Sequence, residues 1–332
     1  MNDDTQIKVL SLFSGVGGFD LGLEQAGMQT VYQCEYDKHA TKVLERHWPT
    51  VPRWGDITTL TGREVLRHAP EIDLVAWGSP CQDLSVAGKR SGLNGARSGL
   101  FYHGMRIIKE IREATNGRYP RISVWENVVG ALNSNRGADF GSVLDAMAKA
   151  GALVIEWRVL DAQYFGVPQR RRRVFVVAVF DLATAARCPD PLLPVEQGVR
   201  GDTAQGATAR QGAPGEADAS TINNDRVQGF GNNNFGKWAE IKTAIALAAR
   251  DYKGSKTLAL HCEDSRRDSV RRLTPLECER LMGWPDNWTA GQSDTHRYKQ
   301  CGNGVASPVA QWIGEHCKRV AAATAGNGAL TL

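Results

Sequence analysis

The stretch Lys8-Val-Leu-Ser-Leu-Phe-Ser-Gly-Val-Gly-Gly-Phe-Asp-Leu-Gly22 decides the fold. Lys8 to Phe13 reads as a buried strand, and Phe19 to Ala26 has helical periodicity. A glycine-rich turn between a first strand and a first helix lets backbone approach a ligand closely. A dinucleotide G-x-G-x-x-G counted from Gly15 would need glycine at position 20, where this chain has Asp20. Glu35 ends the next strand-like segment and could accept from both hydroxyls of a ribose, and Asp56 could accept from an adenine amine. Together they suit a nucleoside ligand without a pyrophosphate. A glycine turn that holds no ligand is the competing reading.

Further along, Thr30–Glu35, Asp73–Trp77, Ile122–Trp125, Leu153–Leu160 and Val174–Phe180 read as strands. Asp37–His47, Leu100–Ala114 and Phe140–Ala150 read as helices between them. Strands alternating with helices predict an α/β fold, a mainly parallel sheet covered on both faces. From Gly198 to Gly236 the chain has eight glycines, five asparagines and neither helical nor strand periodicity, which reads as a loop-rich insert. Order resumes with a helix over Thr274–Met282, where Thr274, Pro275 and Glu277 form a capping signature, and a last helix over Val305–Val320.

Composition narrows the class. The 332 residues are 42% hydrophobic and 23% charged, which excludes a wholly disordered chain. No apolar run approaches the ~20 residues of a membrane helix, so no membrane partner is expected. The net charge of +4 is mild, but arginines cluster at 170–173 and at 266, 267, 271 and 272. Seven widely spaced cysteines show no C-x-x-C pair, so neither a disulfide framework nor a structural zinc is expected. The start MNDDTQIK has no signal-peptide pattern, and the reducing cytoplasm is the expected compartment.

Several segments carry chemistry. Gly78-Ser-Pro-Cys-Gln-Asp-Leu-Ser85 follows an apolar strand, placing Cys81 where open α/β sheets bind ligands. A thiolate there could act as a nucleophile; a small buried cysteine is the alternative. The following stretch to Gly99 holds four glycines with Lys89, Arg90 and Arg97, the composition of a lid over a polyanion or of a solvated loop. Glu126 ends another apolar strand, and a desolvated carboxyl there could donate a proton at neutral pH. In Gln169-Arg-Arg-Arg-Arg173, strand alternation puts Gln169, Arg171 and Arg173 on one face.

These segments, in this order, resemble the cytosine-5 DNA methyltransferases. The resemblance rests on FSGVGG at 13–18, GDI at 55–57, PCQ at 80–82, ENV at 126–128, QRRRR at 169–173, R-x-L-T-P-x-E at 271–277 and the Gly302-Asn303 turn. It spans roughly residues 8–180 and 271–316. Trp125 stands where the family commonly has phenylalanine, Gly304 where it has a slightly larger residue, and Arg170 and Arg172 are additional charges. The fold implied is a Rossmann-like S-adenosylmethionine-dependent methyltransferase sheet with helices on both faces, plus a smaller irregular target-recognition domain. The expected division is residues 1–180 and 295–332 for the catalytic domain and 181–294 for target recognition.

By position, the resemblance implies that Cys81 adds to carbon 6 of cytosine, Glu126 engages ring nitrogen 3, Arg171 orients the ring and Glu126, and Arg173 supports it. It implies an S-adenosylmethionine pocket from Phe13, Gly15, Gly17, Gly18, Glu35, Tyr36, Asp56, Ile57, Pro80, Leu100 and Asn303, with Tyr36 stacking on adenine and no metal. Gln82, Ser85, Lys89, Arg90, Arg97 and Gln169 are the expected DNA contacts. Duplex DNA is the expected partner of a monomeric bacterial or phage-type enzyme, with a restriction endonuclease as a functional companion. A tRNA cytosine-5 methyltransferase and a non-catalytic DNA-binding homologue are the alternatives weighed. An amino-methyltransferase is disfavoured by the lack of an Asp/Asn-Pro-Pro-aromatic motif.

Overall fold

The computed structural model describes residues 6–80, 99–194 and 272–322, and between 227 and 271 the backbone of several strands. Seven strands form the main sheet: β1 (Lys8–Leu12), β2 (Gln29–Cys34), β3 (Arg53–Trp54), β4 (Leu74–Trp77), β5 (Ile122–Val128), β6 (Val154–Asp161) and, after the short β7 (Gln169–Arg170), β8 (Arg172–Val179). Their order is β3-β2-β1-β4-β5-β8-β6. The ladders from β3 to β5 are parallel, and β8 runs antiparallel to both β5 and β6. The chain therefore enters β8 at the edge where the parallel strands end. Strand order reverses at β1 and β4, and ligands of open α/β sheets bind in the crevice at that switch point.

Strand residues alternate between two cores, as period-2 geometry demands. Val9, Leu74, Val124 and Phe175 face one side; Leu10, Val75, Trp125 and Val176 face the other. The first face is covered by α1 (Gly18–Gln25), α2 (Lys38–His47), α7 (Pro275–Leu281) and α9 (Ser307–Ala322). The second is covered by α3 (Gly62–His68), α4 (Gly99–Ala114) and α5 (Ala138–Lys149). Leu192, Leu193 and apolar side chains from Leu273 to Trp288 also pack in the first core. No helix among the described residues is long and apolar enough to cross a membrane.

Local chemistry sets the helix ends. Asp37 accepts from the backbone N–H of His39 and Ala40, capping α2. Thr274 and Glu277 complete the capping box expected of α7, with Pro275 in its first turn. Besides β3, α3 and α6 (Leu182–Ala185), which the sequence reading leaves unassigned, two stretches differ from it. Val227–Asn232, inside the loop-rich insert, forms a strand of a four-stranded sheet with Trp238–Glu240, Ala259–Asp264 and Arg267–Arg272. The segment before Gly304 forms a full helix, α8 (Asp294–Asn303), not a bare turn.

Candidate active site

The loop after β1 is shaped by left-handed backbone. Phe13 has φ 55, Gly15 φ 57 and Gly17 φ 83. Such conformations cost a side-chain-bearing residue about 1–2 kcal/mol and cluster at functional sites. The glycines divide the work. A Cβ on Gly17 would lie 2.3 Å from the Trp48 ring, and one on Gly18 would lie 2.4 Å from the Val305 carbonyl oxygen. Among the described residues, a Cβ on Gly15 would meet nothing within 4 Å. Gly17 and Gly18 thus let α2 and the chain before α9 close on the loop, while Gly15 borders open space. Asp20 is internal: its buried carboxylate accepts from Ser11 Oγ and Gln33 Nε2, both at 2.9 Å, and burial pushes it up to about 6.

Glu35 stands at the end of β2. Its Oε2 accepts from the Gly15 N–H and its Oε1 from the Asp37 N–H, both at 2.7 Å. Burial still pushes its carboxyl above the usual range. Each carboxylate oxygen retains a second acceptor site for a ligand hydroxyl. Tyr36 beside it is 79% exposed. Asp56 Oδ1 accepts from the Thr58 N–H and hydroxyl, which hold the carboxyl below its usual range. Ile57 is buried, and its carbonyl accepts from Arg106 Nη2 at 3.0 Å. Leu100 packs partly buried on the α4 side of the sheet. Asn303 is exposed at the end of α8.

The ends of β4 and β5 build the second half of the crevice. Trp77 pairs with Trp125, so Gly78 lies beside Glu126. A Cβ on Gly78 would lie 3.1 Å from Glu126 Oε2. Glu126 has 13% of its side chain exposed and pairs with Arg173, Nε to Oε1 3.1 Å. Burial pushes its carboxyl up, and Arg173 and then Arg171 oppose that. Arg171 is 2% exposed, and burial followed by the nearby Arg173 pushes it down to about 9. Its Nη2 donates to the carbonyls of Gly302 (3.0 Å) and Gly304 (2.6 Å), bracketing Asn303. The Arg171 N–H donates to Asp161 Oδ1 at 2.8 Å.

The structure thus gathers Phe13, Gly15, Glu35, Glu126, Arg173, Arg171 and Asn303 along the carboxyl edge of the sheet. Direct contact with Glu126 is made by Arg173, and Arg171 ties the same corner to the Asn303 turn. Gln169 departs from its expected DNA contact. It is fully buried and donates to the Leu281 carbonyl at 2.9 Å, because the face it shares with Arg171 turns toward α7. Arg170 and Arg172 are exposed, as alternation requires. Cys81, Gln82, Ser85, Lys89, Arg90 and Arg97 lie outside the described residues. Sequence reasoning missed Asp161 and Arg106, which act on neighbours through backbone atoms, an action no motif encodes.

Comparison with known proteins bears on this arrangement. The chain is 32% identical over 324 residues to the Type II methyltransferase M2.BsuMI of Bacillus subtilis, covering 93% of this chain and 75% of that one. It is 30% identical over 329 residues to the Type II methyltransferase M.HhaI of Haemophilus parahaemolyticus, covering 93% of each. The fold matches a crystal structure of Spodoptera frugiperda DNMT2 with a TM-score of 0.66 at 16% identity, over 94% of this chain and 99% of that one. The profile of the C-5 cytosine-specific DNA methylases matches residues 7–319, nearly the whole chain, and the chain belongs to that family.

Proposed function

We propose that the protein transfers a methyl group from S-adenosylmethionine to carbon 5 of a cytosine in duplex DNA, with Cys81 as the nucleophile. The observation that carries this reading is the desolvated Glu126 carboxyl, ion-paired to Arg173, beside the Gly78–Pro80 segment that runs directly into Cys81. The crevice at the β1/β4 switch point suits the donor. Gly15 borders open space, Glu35 offers two carboxylate oxygens, and Tyr36 presents an uncovered ring. When bound there, S-adenosylmethionine supplies an electrophilic methyl group on a sulfonium. Phe13, Gly15, Glu35, Tyr36, Asp56, Ile57, Pro80, Leu100 and Asn303 would hold it, with Gly17 and Gly18 shaping the loop.

Carbon 5 of cytosine is a poor nucleophile on its own. Addition of the Cys81 thiolate to carbon 6 breaks the aromatic system and makes carbon 5 electron-rich. A protonated Glu126 neutralises ring nitrogen 3 as the adduct forms, a role that burial favours by keeping its proton on. Arg173 fixes the carboxyl, and Arg171 holds Asn303 and the cytosine-facing corner together. After methylation, loss of the carbon-5 proton to a base lets the carbon–sulfur bond break and restores the thiolate. A stacked base is out of reach of this chemistry, so the cytosine must be flipped out of the duplex. Gln82, Ser85, Lys89, Arg90 and Arg97 are proposed DNA contacts, and residues 181–294 a target-reading region. A monomer acting in the cytoplasm, with a restriction endonuclease as functional companion, completes the reading.

The test is transfer of radiolabelled methyl from S-adenosylmethionine to unmethylated duplex DNA and, separately, to tRNA. Label at carbon 5 of DNA cytosine, abolished by Cys81→Ser, is expected. Label in tRNA alone would replace the DNA reading with an RNA one.

A further inference from the structure

Two buried hydrogen bonds reach Ser79 from β5. Trp125 Nε1 donates to Ser79 Oγ at 3.2 Å, and Asn127 Nδ2 donates to the Ser79 carbonyl at 3.3 Å. Asn127 is itself oriented, since its Oδ1 accepts from the Val128 N–H at 2.8 Å. We propose that Ser79 and Trp125 are positioning residues for methyl transfer: their hydrogen bond sets how the Cys81 segment leaves the sheet relative to Glu126. The inference rests on the proposed nucleophilic role of Cys81.

Strand alternation makes the clamp effective. Gly78 faces Glu126, and Ser79 faces Trp125 on the opposite side. Trp125 directly precedes Glu126 in the chain. One indole therefore links the strand that carries the carboxyl to the strand that leads into the thiol. The indole is closely packed. It is fully buried, with Trp77 at 6.3 Å and Phe101 at 5.7 Å between ring centroids. Cys81 follows two residues after Ser79 in the chain, so Ser79 is where its segment departs from the bonded end of the sheet. A phenylalanine at 125 would keep a smaller aromatic ring in the same apolar site but make no bond. An alanine at 79 would leave the buried indole N–H without its acceptor.

The test uses the full chain with Ser79→Ala, Ser79→Thr, Trp125→Phe and the Ser79→Ala/Trp125→Phe double variant. Single-turnover methyl transfer to unmethylated duplex DNA is measured at saturating S-adenosylmethionine, together with cofactor Kd and melting temperature. Misplaced reacting groups lose rate steeply, so Ser79→Ala and Trp125→Phe should each be slower by about tenfold or more. Cofactor Kd should change far less than the rate, because Pro80 is the one proposed pocket residue adjoining Ser79 and the others come from other segments. Ser79→Thr, which keeps the hydroxyl, should recover most of the rate. The double variant should be no slower than the worse single one, since both remove one bond. Wild-type rates in the single variants, multiplying losses in the double variant, or a loss that Ser79→Thr shares would each overturn the inference. Activity surviving in a parallel Cys81→Ser protein would instead overturn the reading on which it rests.

Discussion

Gly15 and Gly17 sit two residues apart in one loop, both with left-handed backbone, yet they should respond to alanine differently. At Gly17 the added Cβ would lie 2.3 and 2.5 Å from two atoms of the Trp48 ring and 3.3 Å from Leu44 Cδ2. Trp48 is wedged, with its indole N–H bonded to Glu24 at 2.7 Å and its ring edge-on to Trp288. The cost combines about 1–2 kcal/mol for the backbone conformation with about 1–3 kcal/mol for overpacking. Unfolding entropy of about 2.1 cal/mol/K per residue over 332 residues makes each kcal/mol worth about 1.4 °C. Gly17→Ala should therefore melt about 3–7 °C below the parent. At Gly15 only the backbone cost applies, about 1–2 kcal/mol or about 1.5–3 °C, because the methyl enters open space. That space is the proposed donor pocket, so Gly15→Ala should weaken S-adenosylmethionine binding at 25 °C more than Gly17→Ala does. Differential scanning calorimetry and isothermal titration of both variants check this. Equal melting losses, or a larger affinity loss at Gly17, would refute the division of the loop into packing and ligand-facing glycines.

Three further outcomes are expected. In Arg173→Gln the first cation opposing Glu126 is gone, so its carboxyl keeps its proton to higher pH. The high-pH limb of the single-turnover rate should move upward, and an unmoved limb would remove Glu126 as the titrating acid. Because burial raises this carboxyl in the folded state, its contribution to stability is complete below the ordinary glutamate range and is lost as pH rises through the raised value. Urea unfolding should show that loss growing in the variant. Arg171→Met removes the nitrogen that donates to both Gly302 and Gly304, so cofactor KM should rise along with the fall in kcat; a change in kcat alone would sever the link to Asn303.

Much of this molecule was legible in its sequence. The alternation of apolar strands and amphipathic helices located six of the main-sheet strands within a few residues, because a sheet covered on both faces demands near-continuous apolar runs. The capping box at Thr274 marked α7 directly. Arginine alternation after Gln169 was correct in direction, with Arg170 and Arg172 outward. The antiparallel setting of β8 was not legible, since strand direction depends on the path of connecting chain and not on periodicity. β3 was missed because two residues, Arg53 and Trp54, carry no pattern. α8 was missed because its polar sequence shows no apolar stripe; it is held by side chains such as Tyr298, whose hydroxyl donates to the Leu273 carbonyl at 2.6 Å. Gln169 was read from its motif as facing DNA, but burial of a whole strand face against α7 is a tertiary fact. Gly17 and Gly18 likewise carry a packing demand, from Trp48 and Val305, that no motif encodes.

The proposed activity is methylation of carbon 5 of cytosine in DNA through Cys81. Its most direct test is base-resolution sequencing of 5-methylcytosine in a methylation-free bacterial host expressing the wild-type chain or Cys81→Ser. The expected result is 5-methylcytosine at one short sequence throughout the genome with the wild-type chain and none with the variant. Equal methylation from both proteins, or methylation confined to host RNA, would contradict it.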